Sequence, residues 1–451
     1  MVLEQGGVTS VRWSTFMAAA AAMIVAVGLL HVACLHFYPK PQLDPWGISD
    51  FYPMSMFKLR LPDVRDQAPL LFLVLIAYRA RRLFTGATPL RLFWQIFLAT
   101  GLLVMSNRLQ GMRYGLDYPT ASTGTGGFEY YHDAILIKGP LWFLARFNAI
   151  QFELLEHART HPPGPVLLYY FLHHGLGSPT LISIAVGVLS LSLGLPYLRR
   201  GLVLLLGSEP PGALFVYALM PAVVIYGIAV VDALIASLFL ATLVEFLDEQ
   251  RRASPWLAAC WLALSLCFTF AGLFLLPVLG GFELLRRRRL GRSLMVFGGA
   301  TLLLYALWFA TGFDWVESFR RASAIENDKG FLLFANPRGY LWYRLGAVAE
   351  ILIFFTPFMA VLAYQGLGKL RREHMDAFTL AWLGPAVLAV MLLAGMLKIG
   401  EAARVCIFIV PYLLLPAFVT WRDLDDAGRL RAMSLVFGWG TLMQLFGFYF
   451  W

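Results

Sequence analysis

The chain has 451 residues, of which 59% are hydrophobic and only 14% are charged, and its formal net charge is +9. A soluble domain has about 25% charged residues, so this composition excludes a water-soluble globular fold. The positive charge does not indicate nucleic-acid binding, because Arg and Lys cluster at the ends of apolar runs, as topology signals in membrane proteins do.

Apolar runs long enough to cross the hydrocarbon layer of a membrane, about 30 Å thick, recur along the whole chain. The runs do not alternate with a period of two, so they favour helices over barrel strands. We therefore predict an all-α fold, a polytopic transmembrane helical bundle of about 11–13 spans that forms one domain over residues 1–451. The predicted spans cover residues 14–36, 68–84, 90–106, 180–197, 211–226, 228–246, 255–270, 271–285, 293–311, 343–364, 377–396, 403–420 and 432–450.

Clusters of Arg and Lys predict which ends of the spans face the cytoplasm. The clusters lie at residues 79–82, 199–200, 251–252, 286–292, 369–372 and 422–431. If all of them share one side, the outer loops are 37–67, 107–179, 312–342 and the short turn 398–402. This alternation requires that 163–174, about twelve residues long, is an interfacial or re-entrant helix that does not cross fully. The N-terminus is then inside and the C-terminus outside.

The main outer loop, 107–179, is the longest polar segment and contains five of the eight histidines. Loops longer than about 15 residues without obvious structure are usually functional. Within this loop, residues 141–159 have an amphipathic pattern that predicts a juxtamembrane helix on the outer surface. The apolar positions of that pattern are Phe143, Phe147, Ile150, Leu154 and Leu155.

An acidic motif with Glu129, His132 and Asp133 lies inside the main outer loop. A carboxylate at the membrane surface can take a proton from an acceptor hydroxyl, or it can bind a divalent cation such as Mg²⁺ or Mn²⁺ that neutralises a phosphate. Asp133 and Glu129 are the candidate ligands of such a cation. The sequence leaves open whether the protein requires one. The alternative interpretation is a solvated loop with surface aromatic residues.

A proline-rich turn follows, in which His161 precedes Pro162, Pro163, Gly164 and Pro165. Three prolines within four residues fix the backbone ahead of an apolar helix, and Pro is tolerated in the first helical turn. We expect the histidine at the membrane face, either as a site residue or as an ordinary polar residue at a helix start.

Further ionisable residues lie at the predicted outer ends of spans. Asp232 is a lone intramembrane acid, which indicates either a functional site or a structural hydrogen bond. Lys398, Glu401 and Arg404 occupy a turn between two apolar runs, where the cations would bind a lipid phosphate or extend to the interface. The second outer loop contains Arg338 among other basic residues, against the positive-inside trend. A phosphate-bearing ligand or ordinary loop charge would explain that excess.

In this order, the motifs resemble the GT-C superfamily of polytopic glycosyltransferases. The resemblance is to the bacterial branch related to protein O-mannosyltransferases and lipid A aminoarabinose transferases. It covers residues 90–420 and rests on the acidic motif, the His161 turn, Asp232 and the Gly400–Arg404 turn, which is similar to the Gly-Glu-x-x-Arg turn of related bacterial members. It implies a GT-C-like fold that transfers a sugar from a polyprenyl-phosphate donor to a lipid, glycan or protein acceptor. The active site would lie on the extracytoplasmic side of a bacterial-type inner membrane.

The resemblance also implies roles for individual residues. Asp133 would be the general base that deprotonates the acceptor, and Glu129 or His132 would assist it or contact a metal. The residues that would bind the donor phosphate are Arg404, Lys398 and Arg338, and those that match acceptor or structural motifs are His161, Glu401 and Asp232.

The chain departs from the family pattern at its N-terminus, where residues 1–88 contain two extra spans. They add an outer loop with Asp44 and Asp50. Either acid would be the base instead if the family's first span is 14–36. We favour Asp133, because it leads directly through surface helices to His161.

Two other classes of protein fit the sequence less well. A transporter or flippase of a lipid-linked or anionic substrate would explain the many spans and the basic outer loops. Transporters usually have internal repeats and charges at the membrane midplane, and the sequence has neither. A scaffold of an envelope-assembly complex that keeps the fold without activity is the third class.

Overall fold

The computed structural model describes residues 13–37, 55, 57–84, 90–117, 130–326, 330–397 and 400–449. These residues are almost all helical, as predicted. By length and composition, five of the described helices are able to cross a membrane, or six if one bent pair is a single span, which fits a membrane protein. The five are Trp13–His36, Leu92–Gln110, Pro179–Leu206, Gly291–Thr311 and Met375–Leu393. The other predicted spans correspond to shorter, broken or more polar helices.

The N-terminal part contains α1 to α4 and a short strand. The elements are α1 (Trp13–Phe37), β1 (Phe57–Leu59), a 3₁₀ turn (Val64–Asp66), α2 (Gln67–Arg79), α3 (Arg81–Phe84), α4 (Leu92–Asn107), a second 3₁₀ turn (Arg108–Gln110) and a π-helical turn (Arg113–Asp117). Strand β1 pairs antiparallel with β2 (Gly447–Tyr449), with Lys58 opposite Phe448. The end of the first outer loop and the C-terminal strand therefore lie together, in agreement with the prediction that both are on one side.

Residues 130–176 of the main outer loop fold into four short α-helices. They are α5 (Tyr130–Ala134), α6 (Pro140–Ile150), α7 (Glu156–Arg159) after a 3₁₀ turn (Gln151–Glu153), and α8 (Gly164–Leu176). The single helix predicted over 141–159 is interrupted, because the backbone is extended at Leu154 and Leu155. Its predicted apolar face is buried against protein, since Phe143 and Phe147 are inaccessible to solvent. Helix α8 has 13 residues and ends at Gly177, so it is too short to span, as predicted.

The centre of the bundle is a buried segment of broken helices. The elements from 179 to 311 are α9 (Pro179–Leu206), α10 (Ala213–Leu219), α11 (Pro221–Tyr226), α12 (Asp232–Leu247), α13 (Ser254–Phe268), a 3₁₀ turn (Phe270–Phe274), α14 (Leu275–Arg287) and α15 (Gly291–Thr311). Residues 213–246 are buried except Asp232, which is partly exposed. The two spans predicted here are three short helices, because Pro221 starts a new helix and the backbone is irregular over 227–231.

The C-terminal part contains α16 to α23. The elements are α16 (Trp315–Glu326), α17 (Leu332–Ala335), α18 (Pro337–Phe355), α19 (Pro357–Glu373), α20 (Met375–Leu393), α21 (Ala402–Val405), a 3₁₀ turn (Ile407–Ile409), α22 (Val410–Asp423), α23 (Asp426–Phe446) and β2. The predicted span 343–364 is two helices that meet at 96°. Thr356 forms the break, with φ of +68° and a hydroxyl that accepts a hydrogen bond from the N–H of Met359. The following Pro357 disfavours helical geometry at this threonine.

Ion pairs join the basic segments at one end of the bundle. Arg200 bonds to Glu245 at 2.5 Å, and Lys369 bonds to Asp423 at 2.6 Å. Other pairs at this end are Arg287 with Asp376, Arg289 with Glu249 and Arg422 with Glu373. We call this the arginine-rich end. Five of the six basic segments predicted to share one side therefore lie together, namely 199–200, 251–252, 286–292, 369–372 and 422–431.

Candidate functional site

The site is built around Arg404, which lies in the one-turn helix α21 at the end of the bundle opposite the arginine-rich end. We call this the site end. Gly400 has a φ of +81°, and such a conformation favours glycine. Arg404 is only 5% exposed, and its Nη2 donates to Oε2 of Glu401 at 2.5 Å. The guanidinium is thus inside the protein, which argues against an arginine that extends to the membrane interface.

Asp232 faces the same guanidinium from the first residue of α12. Its Oδ2 lies 4.0 Å from Nε of Arg404. A carboxylate at this position is stabilised by the positive end of the helix dipole. The irregular backbone before it includes Ala229, with φ of +70°, whose carbonyl accepts a hydrogen bond from the Tyr169 hydroxyl. Helix α8 is therefore connected with the segment that positions Asp232.

The main outer loop reaches the guanidinium through His157. Nη2 of Arg404 lies 3.3 Å from Nε2 of this histidine, and because a guanidinium only donates, Nε2 accepts. The carbonyl of His157 lies 3.0 Å from Nδ1 of His161. The centre of the Tyr130 ring lies 6.0 Å from that of the His157 ring and 5.5 Å from that of the His161 ring. We call Asp232, Glu401, Arg404 and His157 the Arg404 cluster.

The proline-rich turn places His161 beside this cluster. Residues 162–165 are buried. Gly164 packs directly against α13, because a Cβ atom at this position would lie 2.4 Å from the carbonyl oxygen of Cys267. Only glycine allows this approach of the two backbones, so the turn is fixed against the bundle.

Asp133 is buried in α5, next to the Arg404 cluster but not part of it. Its Oδ2 accepts a hydrogen bond from the N–H of Leu155, the residue before α7, at 3.1 Å. Burial raises the pKa of this carboxyl, while the hydrogen bond and the charge of His132 oppose the increase. Within the described residues Asp133 forms no ion pair with Arg404, and it is connected with the cluster through α7.

The other predicted site residues are spread more widely. His132 is partly buried, and its Nδ1 has no hydrogen-bond partner among the described residues. Arg338 is exposed at the start of α18. The predicted positions Glu129, Lys398, Asp44 and Asp50 lie outside the described residues. No group of three His, Cys, Asp or Glu residues within the described ranges is arranged to hold a metal ion.

The second outer loop, 312–342, packs against the main outer loop. The Asn148 side chain donates to the carbonyl of Asp314 at 2.7 Å and accepts from its N–H at 2.9 Å. This exchange fixes the start of α16. Arg344, which follows this loop in α18, is a buried residue whose Nη1 donates to the carbonyl of Leu397 at 2.8 Å.

Two residues near the site were not assigned to it from the sequence. His157 lies four residues before His161, a spacing that places both on one helical face. Glu350 is an acid within the predicted span 343–364, a position that is unfavourable unless the residue is paired or functional. Both signals are present in the sequence, and the structure brings both residues near α21.

No protein-family model matches the chain, and no curated protein matches it. The fold and the site therefore define a class, a helical membrane protein with a buried ionisable cluster at one end.

Proposed function

We propose that this protein transfers a sugar from a polyprenyl-phosphate donor to an acceptor hydroxyl on the extracytoplasmic face of the membrane. The observation that supports the proposal is the Arg404 cluster itself. Residues from the main outer loop, from the start of α12 and from the 400–404 turn meet at one buried arginine. The cluster lies opposite the arginine-rich end, and Arg-rich loops usually face the cytoplasm.

The donor phosphate would bind at Arg404. Guanidinium groups recognise phosphates by paired hydrogen bonds, and a buried guanidinium acts in a medium of low dielectric constant, where its charge is weakly screened. As the bond from the anomeric carbon to the phosphate oxygen breaks, negative charge develops on that oxygen. A fixed arginine stabilises this charge without reorganisation. The polyprenyl tail would remain in the lipid beside the bundle.

The acceptor hydroxyl needs a base while its oxygen forms the new glycosidic bond. Asp133 accepts that proton in our proposal, and the polyprenyl phosphate is the leaving group. The raised pKa of Asp133, caused by burial, brings its proton affinity closer to neutral pH, which favours general base catalysis. Asp232 would stay ionised beside Arg404 and orient it.

The test is the substitution Asp133→Asn, assayed for sugar transfer in membranes. Asparagine keeps an oxygen that can accept from Leu155 N–H, so we expect normal expression and folding with transfer reduced at least about 100-fold, the contribution typical of a general base. Unchanged transfer would remove Asp133 from the base role, and Asp232→Asn would then be tested in the same assay. Movement of substrate across sealed vesicles without a new glycosidic bond would instead favour a transporter or flippase.

A further inference from the structure

Glu350 is a completely buried acid that the proposed reaction does not use. It lies in α18, six residues before the bend at Thr356, and none of its surface is exposed. A buried carboxylate is costly unless hydrogen bonds compensate for the lost water. Its partners therefore show what it stabilises.

The partners of Glu350 come from two distant segments. Oε1 accepts a hydrogen bond from the hydroxyl of Ser55 at 2.7 Å, and Oε2 accepts from the N–H of Ala402 at 2.7 Å. The N–H of Ala403 also donates to this carboxylate. One side chain thus connects the first outer loop with the turn that precedes Arg404.

The first N–H groups of any helix need acceptors from outside the helix. In α21 the preceding residue, Glu401, makes no side-chain cap, because its carboxylate bonds to Arg404 instead. Glu350 takes the place of that missing cap. The Arg404 turn therefore depends on a carboxylate supplied by α18.

We propose that Glu350 is a positioning residue that fixes the Arg404 turn for binding of the donor phosphate. This inference rests on the proposed function for the identity of the ligand. It also assigns a role to the first outer loop, since Ser55 donates to the carboxylate oxygen that does not bond to Ala402.

The chain contains a matched control at the arginine-rich end. Glu283 is 2% exposed, and its carboxylate accepts from the N–H and the hydroxyl of Ser293, each at 2.7 Å, and from the N–H of Arg292 at 3.1 Å. It therefore caps α15 with two backbone N–H groups and one serine hydroxyl, the donors that Glu350 has, and it also lies 3.5 Å from Nε of Arg289. Substitution there removes equivalent hydrogen bonds far from the Arg404 cluster.

The experiment compares Glu350→Ala, Glu350→Gln and Glu283→Ala in the purified full-length protein in lipid nanodiscs. The first readout is the Kd for undecaprenyl phosphate, and the second is hydrogen exchange of a peptide that covers 400–405. We expect Glu350→Ala to weaken binding at least tenfold and to accelerate exchange of that peptide. Glu350→Gln, which keeps an oxygen acceptor, should stay within threefold of wild type. Glu283→Ala should leave both readouts unchanged while lowering the melting temperature by a similar amount.

The outcomes separate the two proposals. Wild-type protein that does not bind undecaprenyl phosphate contradicts the proposed function, and hydrogen exchange then still tests whether Glu350 fixes the turn. Wild-type binding that Glu350→Ala retains contradicts the positioning role alone. Equal acceleration of the 400–405 peptide by both alanine variants would also overturn it, since a general loss of stability would then explain the effect.

Discussion

The two ends of the bundle use buried ionisable residues in different ways. At the arginine-rich end, the Arg200 side chain is 25% exposed and bonds to both Glu245 and Asp248. Glu245 also accepts hydrogen bonds from Tyr197 at 3.1 Å and Ser254 at 2.7 Å. This arrangement satisfies the buried carboxylate with short contacts from several sides, so it stabilises the packing of three helices.

At the site end the cation is more deeply buried, and two of its three described contacts are longer than those of Arg200. The Arg404 side chain is 6% exposed, with Glu401 at 2.5 Å, His157 at 3.3 Å and Asp232 at 4.0 Å. Burial of a charge in a protein costs stability even when the charge is paired. Proteins tolerate such costs mainly at functional sites. The comparison therefore supports our proposal of a binding site at the site end, and it indicates a structural role for the ion pairs at the arginine-rich end.

The largest expected effect comes from the substitution Arg404→Ala. We expect the apparent donor KM to rise roughly 100-fold, since a buried charge-assisted contact to phosphate is worth about 2–3 kcal/mol. The measurement is sugar transfer at varied donor concentration in membranes.

Arg200→Ala is the matched control at the other end. It should leave the donor KM unchanged but reduce the free energy of unfolding by about 2 kcal/mol. Breaking a fully buried ion pair costs about 3–5 kcal/mol, and the cost is smaller here because Arg200 is partly solvated. If both variants change KM equally, the distinction between the two ends is wrong.

A smaller effect is expected at the proline-rich turn. In Gly164→Ala the new Cβ would overlap the carbonyl of Cys267, so the turn must move. Overpacking of this kind costs about 1–3 kcal/mol, and we expect roughly a tenfold loss of transfer, because a shift of about 1 Å can cost up to about 100-fold. Gly175→Ala in the same helix has open space at its Cβ and should be neutral or stabilising by up to about 1 kcal/mol. Equal thermal stability and transfer in both variants would contradict this role of the turn.

The sequence predicts the fold best where helices are long and uniformly apolar. The predicted spans 14–36, 90–106, 180–197, 293–311 and 377–396 each match a helix that is long and apolar enough to cross a membrane. Hydropathy fails where the chain bends inside an apolar run. Ala229 and Thr356 both adopt positive φ at such breaks, and neither residue type signals that conformation, because tertiary contacts impose it.

The site is predictable in composition but not in arrangement. Asp232, Glu401 and Arg404 were selected from the sequence because charges at span boundaries are costly, and the structure brings them together. Their meeting with His157 depends on how the main outer loop packs, which no local pattern specifies. Asp133 was selected as a carboxylate in the main outer loop that leads to His161, and its hydrogen bond is to the backbone before α7.

The smallest expected effect is a difference in pH dependence between Asp133, near the site end, and Asp248, at the arginine-rich end. Burial raises the pKa of Asp133 above its ordinary value of 3.8. For Asp248 burial would also raise the pKa, but hydrogen bonds and charge from Arg200 outweigh it and lower the pKa. The reactive form of Asp133 is the carboxylate, so the transfer rate should rise with pH through the raised pKa. The stabilisation from Asp248 is present above its unfolded pKa of about 3.9 and is lost only as pH falls through the lower folded value.

The pH dependence of the transfer rate and that of the melting temperature should therefore differ above about pH 4, since the pKa of Asp133 is raised and that of Asp248 is lowered. The rate should decrease on acidification while the Arg200–Asp248 pair still stabilises the fold. Raising the pH through the pKa of Asp133 should also lower stability slightly, because the fold favours its neutral form, and Asp133→Asn should remove that decrease. If the transfer rate and the folded fraction are lost at the same pH on acidification, unfolding explains the loss of activity. The assignment of Asp133 as the titrating base would then be wrong.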